Sequence, residues 1–301
     1  MHFPIADVTV NPLLLAGIGF LVGILGGFFG VGGGFIAGPL MFWMGVPMNM
    51  VVGTDLAHMT GKSIVAARRH RALGHVDFKL GFLMVLGTVI GVEAGARAIE
   101  ALESAGTVDQ VVGISYIAIL LTISVFTAWE SLRALHMMRT DQLDAREVVG
   151  FKGVRERVHA IRLRPMIALP GSGISAISVW VVLGVGILTG FLAGILGVGG
   201  GFLRVPLLVY VVGVPTHVAV GTDLFEIVIS AGFGTLTHAL KGNVDVLMAL
   251  TMHTGAALGA QIGATATRFF SGPRIRLLFS ALPIVGATLV IIRLLGSGTL
   301  H

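Results

Sequence analysis

Two short runs carry the chemistry this chain offers first: Val31-Gly-Gly-Gly-Phe35 and Val198-Gly-Gly-Gly-Phe202, each set inside a long apolar stretch. Three successive glycines weaken a helix by up to about 1 kcal/mol apiece relative to Ala, so a helix is expected to stop at each run. A stopped helix leaves backbone N–H groups unpaired, and a half-helix restarting near Phe35 or Phe202 aims the positive end of its dipole inward. Two such ends facing one another would bind a small anion. Gly32, Gly33, Gly34, Gly199, Gly200 and Gly201 are therefore candidate anion-binding residues. The competing reading is that the glycines only let helices approach closely. A nucleotide-binding phosphate loop is excluded, because the Lys-Ser/Thr ending is missing.

A second set lies downstream of each run. Gly53-Thr54-Asp55 and Gly221-Thr222-Asp223 are separated by a constant offset of 168 residues, which also carries His58 onto Glu226 and Lys62 onto Ser230. In a helix Asp55, His58 and Lys62 fall at i, i+3 and i+7 on one face, as do Asp223, Glu226 and Ser230. Ionisable groups inside a membrane cost at least about 2.5–3.5 kcal/mol each, and normally mark a pathway, a proton relay or an ion pair. Asp55, His58, Lys62, Asp223 and Glu226 are thus expected to line the pathway or couple transport. Thr54 and Thr222 are expected to offer hydroxyls to the anion. Arg204, three residues past Gly201, breaks the repeat with a positive charge where the first half has Ala37, and joins the anion-binding set. Glu93 is a weaker relay candidate. His75, Asp77, Lys241 and Asp245 read as solvated turn residues, and His70 and His238 as helix ends.

The elements that hold these residues follow from composition. With 55% hydrophobic and 12% charged residues among 301, and a mean hydropathy of +0.94, the chain is far from an ordinary soluble domain. No cysteine is present, which excludes disulfides and thiolate chemistry. No HExxH or Ser/His/Asp pattern argues for a metal site or an enzyme. The segment Met1–Pro12 has no Lys or Arg, so the first apolar segment reads as retained and not as a signal peptide. Apolar segments run at about 13–30, 35–46, 50–67, 78–98 and 108–129, and again at 174–196, 202–213, 217–239, 244–267 and 274–296. The second of each set is short for a crossing and reads as a half-helix or re-entrant arm.

Basic residues fix orientation. Residues 130–165 hold Arg133, Arg139, Arg146, Lys152, Arg155, Arg157, Arg162 and Arg164, and so form a cytoplasmic loop. Arg68, Arg69, Arg71 and Lys79 place the loop after the third segment inside, whereas its counterpart keeps only Lys241; the fourth-to-fifth turn carries Glu100, Glu103 and Asp109, where its counterpart has Arg268, Arg274 and Arg276. The halves are therefore inverted, with both termini outside. The expected fold is an all-α integral membrane protein of two inverted-topology repeats, each of about five apolar segments. That makes eight to ten helices in all, with Gly-interrupted helices in each half. Residues 1–129 form the first repeat, 130–170 the basic loop and 171–301 the second repeat. The net charge of +5 belongs to topology and not to nucleic acid.

The repeated Gly-Phe-Leu-x-Gly-Ile-Leu-Gly (19–26 and 190–197), Val-Gly-Gly-Gly-Phe, Pro (39 and 206) and Gly-Thr elements resemble the sulfite exporter TauE/SafE family of permeases over about residues 13–105 and 174–296. The resemblance implies a multi-pass protein of a bacterial inner membrane that transports small sulfur-containing anions such as sulfite, sulfoacetate or other organosulfonates. It implies no catalysis and no cofactor. The partners are a small inorganic or organic anion and the bilayer, and an assembly of like copies is left open. Two other readings stand beside it: a transition-metal permease using the Asp, His and Glu stripe, and an intramembrane enzyme.

Overall fold

Asn11 starts the first helix, its side-chain oxygen accepting from the Leu13 N–H while Pro12 occupies the first turn, where a missing N–H costs nothing. From there the computed structural model describes residues 1–104, 108–139, 152–196 and 200–296. A small antiparallel hairpin, β1 (His2–Phe3) with β2 (Val8–Thr9), precedes α1 (Pro12–Phe29), α2 (Gly34–Trp43), α3 (Met48–Ala72), α4 (Phe78–Ser104) and α5 (Val108–Arg139). After α6 (Lys152–His159) a second hairpin, β3 (Met166–Leu169) with β4 (Ile174–Ser178), leads into α7 (Val179–Leu196), α8 (Gly201–Leu207), a π turn at Leu208–Val212, α9 (Thr216–Leu240), α10 (Val246–Ala266) and α11 (Gly272–Gly296).

The all-helical membrane architecture stands, and the expected segments each reappear as a helix. Two features were not expected: each five-helix set begins with a hairpin, and α6 lies within the basic stretch. The fifth helix also continues to Arg139, ten residues past the expected limit of 129. Among the described residues five helices are long and apolar enough to cross a membrane: Pro12–Phe29, Phe78–Gly95, Ile117–Met138, Thr216–Leu240 and Val246–Phe269. The outer surface is apolar, with Leu13, Phe82, Leu86, Val125, Phe233 and Leu258 all exposed, while Asp55, Lys62, Arg204, Asp223 and Glu226 are buried. Polar groups inside and apolar groups outside is the arrangement a bilayer demands.

Helix pairing joins the two sets. α1 packs on α10 and α7 on α4; α3 packs on α9, and α5 on α11; α3 also meets α10, and α9 meets α4. Exchanging each helix for its counterpart leaves this pairing unchanged. Glycine makes the first two contacts close. A Cβ on Gly19, Gly23 or Gly27 would lie 2.0, 2.4 or 2.4 Å from the carbonyl oxygen of Met252, Ala256 or Ala260, and one on Gly255, Gly259 or Gly263 would meet those of Ala16, Phe20 or Ile24 at 2.0–2.2 Å. Gly186, Gly190 and Gly194 repeat the pattern against Met84, Thr88 and Val92. Steps of four residues put these glycines on one face, so here the close-packing reading holds.

Candidate functional site

The run at 31–35 does something else. α1 ends at Gly30, which takes the left-handed conformation (φ 79°) and returns its N–H to the Gly26 carbonyl at 2.9 Å. Gly33 (φ 81°) then supplies the carbonyl that accepts from Ile36 and Ala37, opening α2. At ten residues α2 is about 15 Å long, half the thickness of a bilayer core.

The space at this break is filled by a charge. Lys62 reaches in from α3, its Nζ 2.6 Å from where a Cβ on Gly33 would sit and 2.9 Å from that of Gly26. The side chain is 1% exposed. Its one hydrogen bond goes to the Val22 carbonyl at 3.5 Å, and among the described residues no carboxylate lies within 4.0 Å of the ammonium. Asp55, a candidate counter-ion, faces His58 instead, at 3.4 Å. The other ring nitrogen of His58 is buried and has no partner among the described residues. Gly32 lies beneath the terminal methyl of Met59, which occupies the volume a side chain there would need.

The second break is built alike but carries different charges. Gly200 (φ 67°) accepts from Leu203 and Arg204 to open α8, and Pro206 inside that helix precedes the π turn, where the lost N–H rearranges the ladder. Gly199 lies outside the described residues. Arg204 is fully buried and paired: Nη1 donates to Asp223 Oδ1 at 2.8 Å and, in a close contact, to Glu226 Oε2. Nε and Nη2 face the Thr189 and Thr88 hydroxyls at 3.4 Å. The two breaks adjoin, since a Cβ on Gly201 would be 3.2 Å from Val31 Cα and 2.7 Å from Asp223 Oδ2.

Thr54 and Thr222 are fully buried and already engaged. Thr54 Oγ1 accepts from the Asp245 N–H at 3.0 Å, and Thr222 Oγ1 accepts from the Asp77 N–H at 2.9 Å. Each tie crosses from one half to the other. Asp77 and Asp245 are not the solvated turn residues expected: they are buried helix caps that accept from Leu80 and Met248. Their second oxygens take the hairpins, Asp245 from the Ile5 and Ala6 N–H groups and Asp77 from the Ser172 hydroxyl. The 168-residue offset between them, together with an Asp immediately before a helix, was the signal available.

Elsewhere, Glu93 is exposed and paired with Arg97 at 2.9 Å, away from the breaks. Arg276 is not a loop charge: it is buried, bonded to Glu130 and the Thr216 hydroxyl, and fastens α11 to α5 and α9. In the turn after α3, burial and the neighbouring His217 hold the His75 imidazole down at about 4. His75 and His70 face one another across 3.3 Å. Among the described residues no three His, Asp or Glu converge to hold a metal ion.

A helical bundle with an apolar outer surface and two broken helices meeting inside it, with buried charges at the breaks, is the architecture of a membrane transporter. The comparisons agree. Residues 15–290 match the family Sulfite exporter TauE/SafE, and the chain belongs to that family. It is 26% identical over 266 residues to the Probable membrane transporter protein YunE of Bacillus subtilis, covering 85% of this chain and 88% of that one. It is 24% identical over 287 residues to a probable membrane transporter protein of Methanocaldococcus jannaschii, covering 90% and 91%. A probable membrane transporter protein of Xylella fastidiosa is 42% identical over 110 residues, 35% of this chain and 41% of its own. These relatives are named as transporters and not as enzymes. No solved structure matches.

Proposed function

We propose that this permease carries small sulfur-containing anions, such as sulfite, sulfoacetate or other organosulfonates, across a bacterial inner membrane, and that the anion binds where the two glycine breaks meet. One observation carries the reading: among the described residues the buried Lys62 ammonium at Gly33 has no carboxylate within 4.0 Å. A buried charge without a contact partner is disfavoured in a low-dielectric interior, and an anion at the break lowers that penalty. Gly32, Gly33 and Gly34 supply backbone at close approach, and the start of α2 adds its dipole. Gly200 and Gly201 close the site from the second half. Thr54 and Thr222 contribute their hydroxyl hydrogens, which their bonds to Asp245 and Asp77 leave unused. Arg204 acts through its carboxylate partners, because its guanidinium already holds Asp223 and Glu226.

The inverted orientation of the halves, with both termini periplasmic, rests on the distribution of basic residues. The test is flux in proteoliposomes. Sulfite and organosulfonates are expected to move down their gradients and to compete with one another, whereas divalent metal ions are not carried. Metal flux without anion flux would overturn the reading.

A further inference from the structure

The second break holds more negative charge than positive. One guanidinium, Arg204, faces two carboxylates, Asp223 and Glu226, and all three side chains have 0% exposure. Asp223 Oδ2 and Glu226 Oε1 are buried and find no hydrogen-bond partner among the described residues. Ser230, one turn along α9, donates to Glu226 Oε2 at 3.2 Å. The elements around the pair add only neutral groups, Thr88 from α4 and Thr189 from α7. The ionisable groups described on other elements packed against α9 include Asp55, His58, Lys62 and His70 of α3, Lys79 of α4, Tyr210 of the π turn, Arg276 of α11 and His75 of the turn after α3. Among the described residues no cation but Arg204 lies within 4.0 Å of either carboxylate.

We propose that Asp223 and Glu226 share one exchangeable proton, and that this proton crosses the membrane together with the anion. Two carboxyl groups at one site cannot both stay ionised without a second cation. The two unpartnered oxygens are where the proton resides: an O–H bond forms at one carboxylate oxygen as water on one side gives up a proton, and breaks as water on the other side takes it. A metal ion would need several oxygens around an empty centre. Here Asp223 Oδ2 is pressed against the Gly201 backbone, and a proton needs no such space.

Charge balance then ties the two sites together, a step that rests on the anion reading above. A proton that crosses with each monoanion makes the cargo neutral, so the buried site holds the same net charge loaded as empty, whereas the anion alone would add a negative charge beside the one left on the carboxyl pair. That favours movement of the two together. Asp55, which faces His58 at 3.4 Å, adds the same charge to either form.

The experiment uses the full-length protein in proteoliposomes with the voltage clamped at zero and methanesulfonate as the probe, a monoanion whose own charge does not change with pH. A pH gradient, acid on the source side, is expected to drive uphill accumulation approaching tenfold per pH unit. In Glu226→Gln or Asp223→Asn, accumulation falls to the level set by the anion's own gradient. In parallel, the infrared carbonyl band of a protonated carboxylic acid is expected in the wild type at pH 7 and is diminished in each variant. Wild-type methanesulfonate flux that ignores the pH gradient, or follows a sodium gradient instead, would overturn the coupling. Absence of the carboxylic-acid band in the wild type would overturn the shared proton even if no anion were carried. Lost anion flux with the band present would count against the anion reading alone.

Discussion

Replacing Lys62 by Met separates stability from function, because the two respond in opposite directions. Met is an unbranched side chain one atom shorter than Lys, and it removes the charge together with its hydrogen-bond donors. Burying a lysine at a helix centre costs about 2.5–3.5 kcal/mol on insertion scales. In return the ammonium makes one 3.5 Å hydrogen bond to the Val22 carbonyl, worth no more than about 1.5 kcal/mol. Lys62→Met is therefore expected to stabilise the ligand-free protein by about 1–2 kcal/mol, the difference between these figures. The same change removes the charge-assisted bonds to the anion, about 1.5–3 kcal/mol, which weakens binding about 10- to 150-fold. Both effects are read in one thermal-unfolding titration in detergent. At a sulfite concentration 100 times the wild-type dissociation constant, ligand protection of about 2.7 kcal/mol in the wild type falls to about 0.4 kcal/mol for a 100-fold weaker variant. A variant that unfolds more easily than the wild type while keeping its anion protection would show that the ammonium is a structural strut, and the site would have to be sought elsewhere.

Thr54→Val and Thr222→Val each leave a buried N–H, of Asp245 or Asp77, without its acceptor; each is expected to destabilise by about 1–3 kcal/mol, with Ser at either position restoring stability, as measured by thermal unfolding. Because the His75 imidazole is held down at about 4 from an ordinary 6.5, its contribution is complete above pH 6.5 and is lost as pH falls toward 4; His75→Gln is expected to flatten the loss of melting temperature over that range. Gly23→Leu drives a Cβ to 2.4 Å from the Ala256 carbonyl and should abolish monodisperse protein on size exclusion, whereas Gly17→Leu, with nothing within 4 Å, should not. Cysteines at Ser104 and Thr140, which flank α5, are expected to label from opposite faces of the membrane with an impermeant maleimide; labelling from one face would refute the orientation.

Much of the frame was legible because a bilayer restricts what a sequence can do. Runs of apolar residues set the helices within a few positions, and Gly or Pro marked both interruptions. The pairing of charges was not legible. Periodicity put Asp55, His58 and Lys62 on one face, but whether Lys62 met Asp55 depended on how α1 and α2 packed around it, and the glycine break drew the ammonium away. Arg204 was visible as an asymmetry; that it would grip two carboxylates one helix away was not, since spacing carries no information about partners on another element. Arg276 misled for a related reason: a charge beside an apolar stretch reads as a loop residue until Glu130 is found opposite it. The hairpins escaped notice because two- to five-residue strands are too short to show alternation.

The way the helices pair also bears on how the chain is made. α1 and α4 set glycines against α10 and α7, and α5 packs on α11, so each of these contacts joins an early helix to one synthesised much later. A nascent chain that has reached α5 has inserted its first helices, yet their close-packing faces still meet lipid. They must wait for residues beyond 179 before a backbone can approach them. Thr54 and the N-terminal hairpin wait longer still, because both are fastened to Asp245. Assembly is therefore expected to finish from the C-terminal side, the early helices keeping open faces until their later partners are in place.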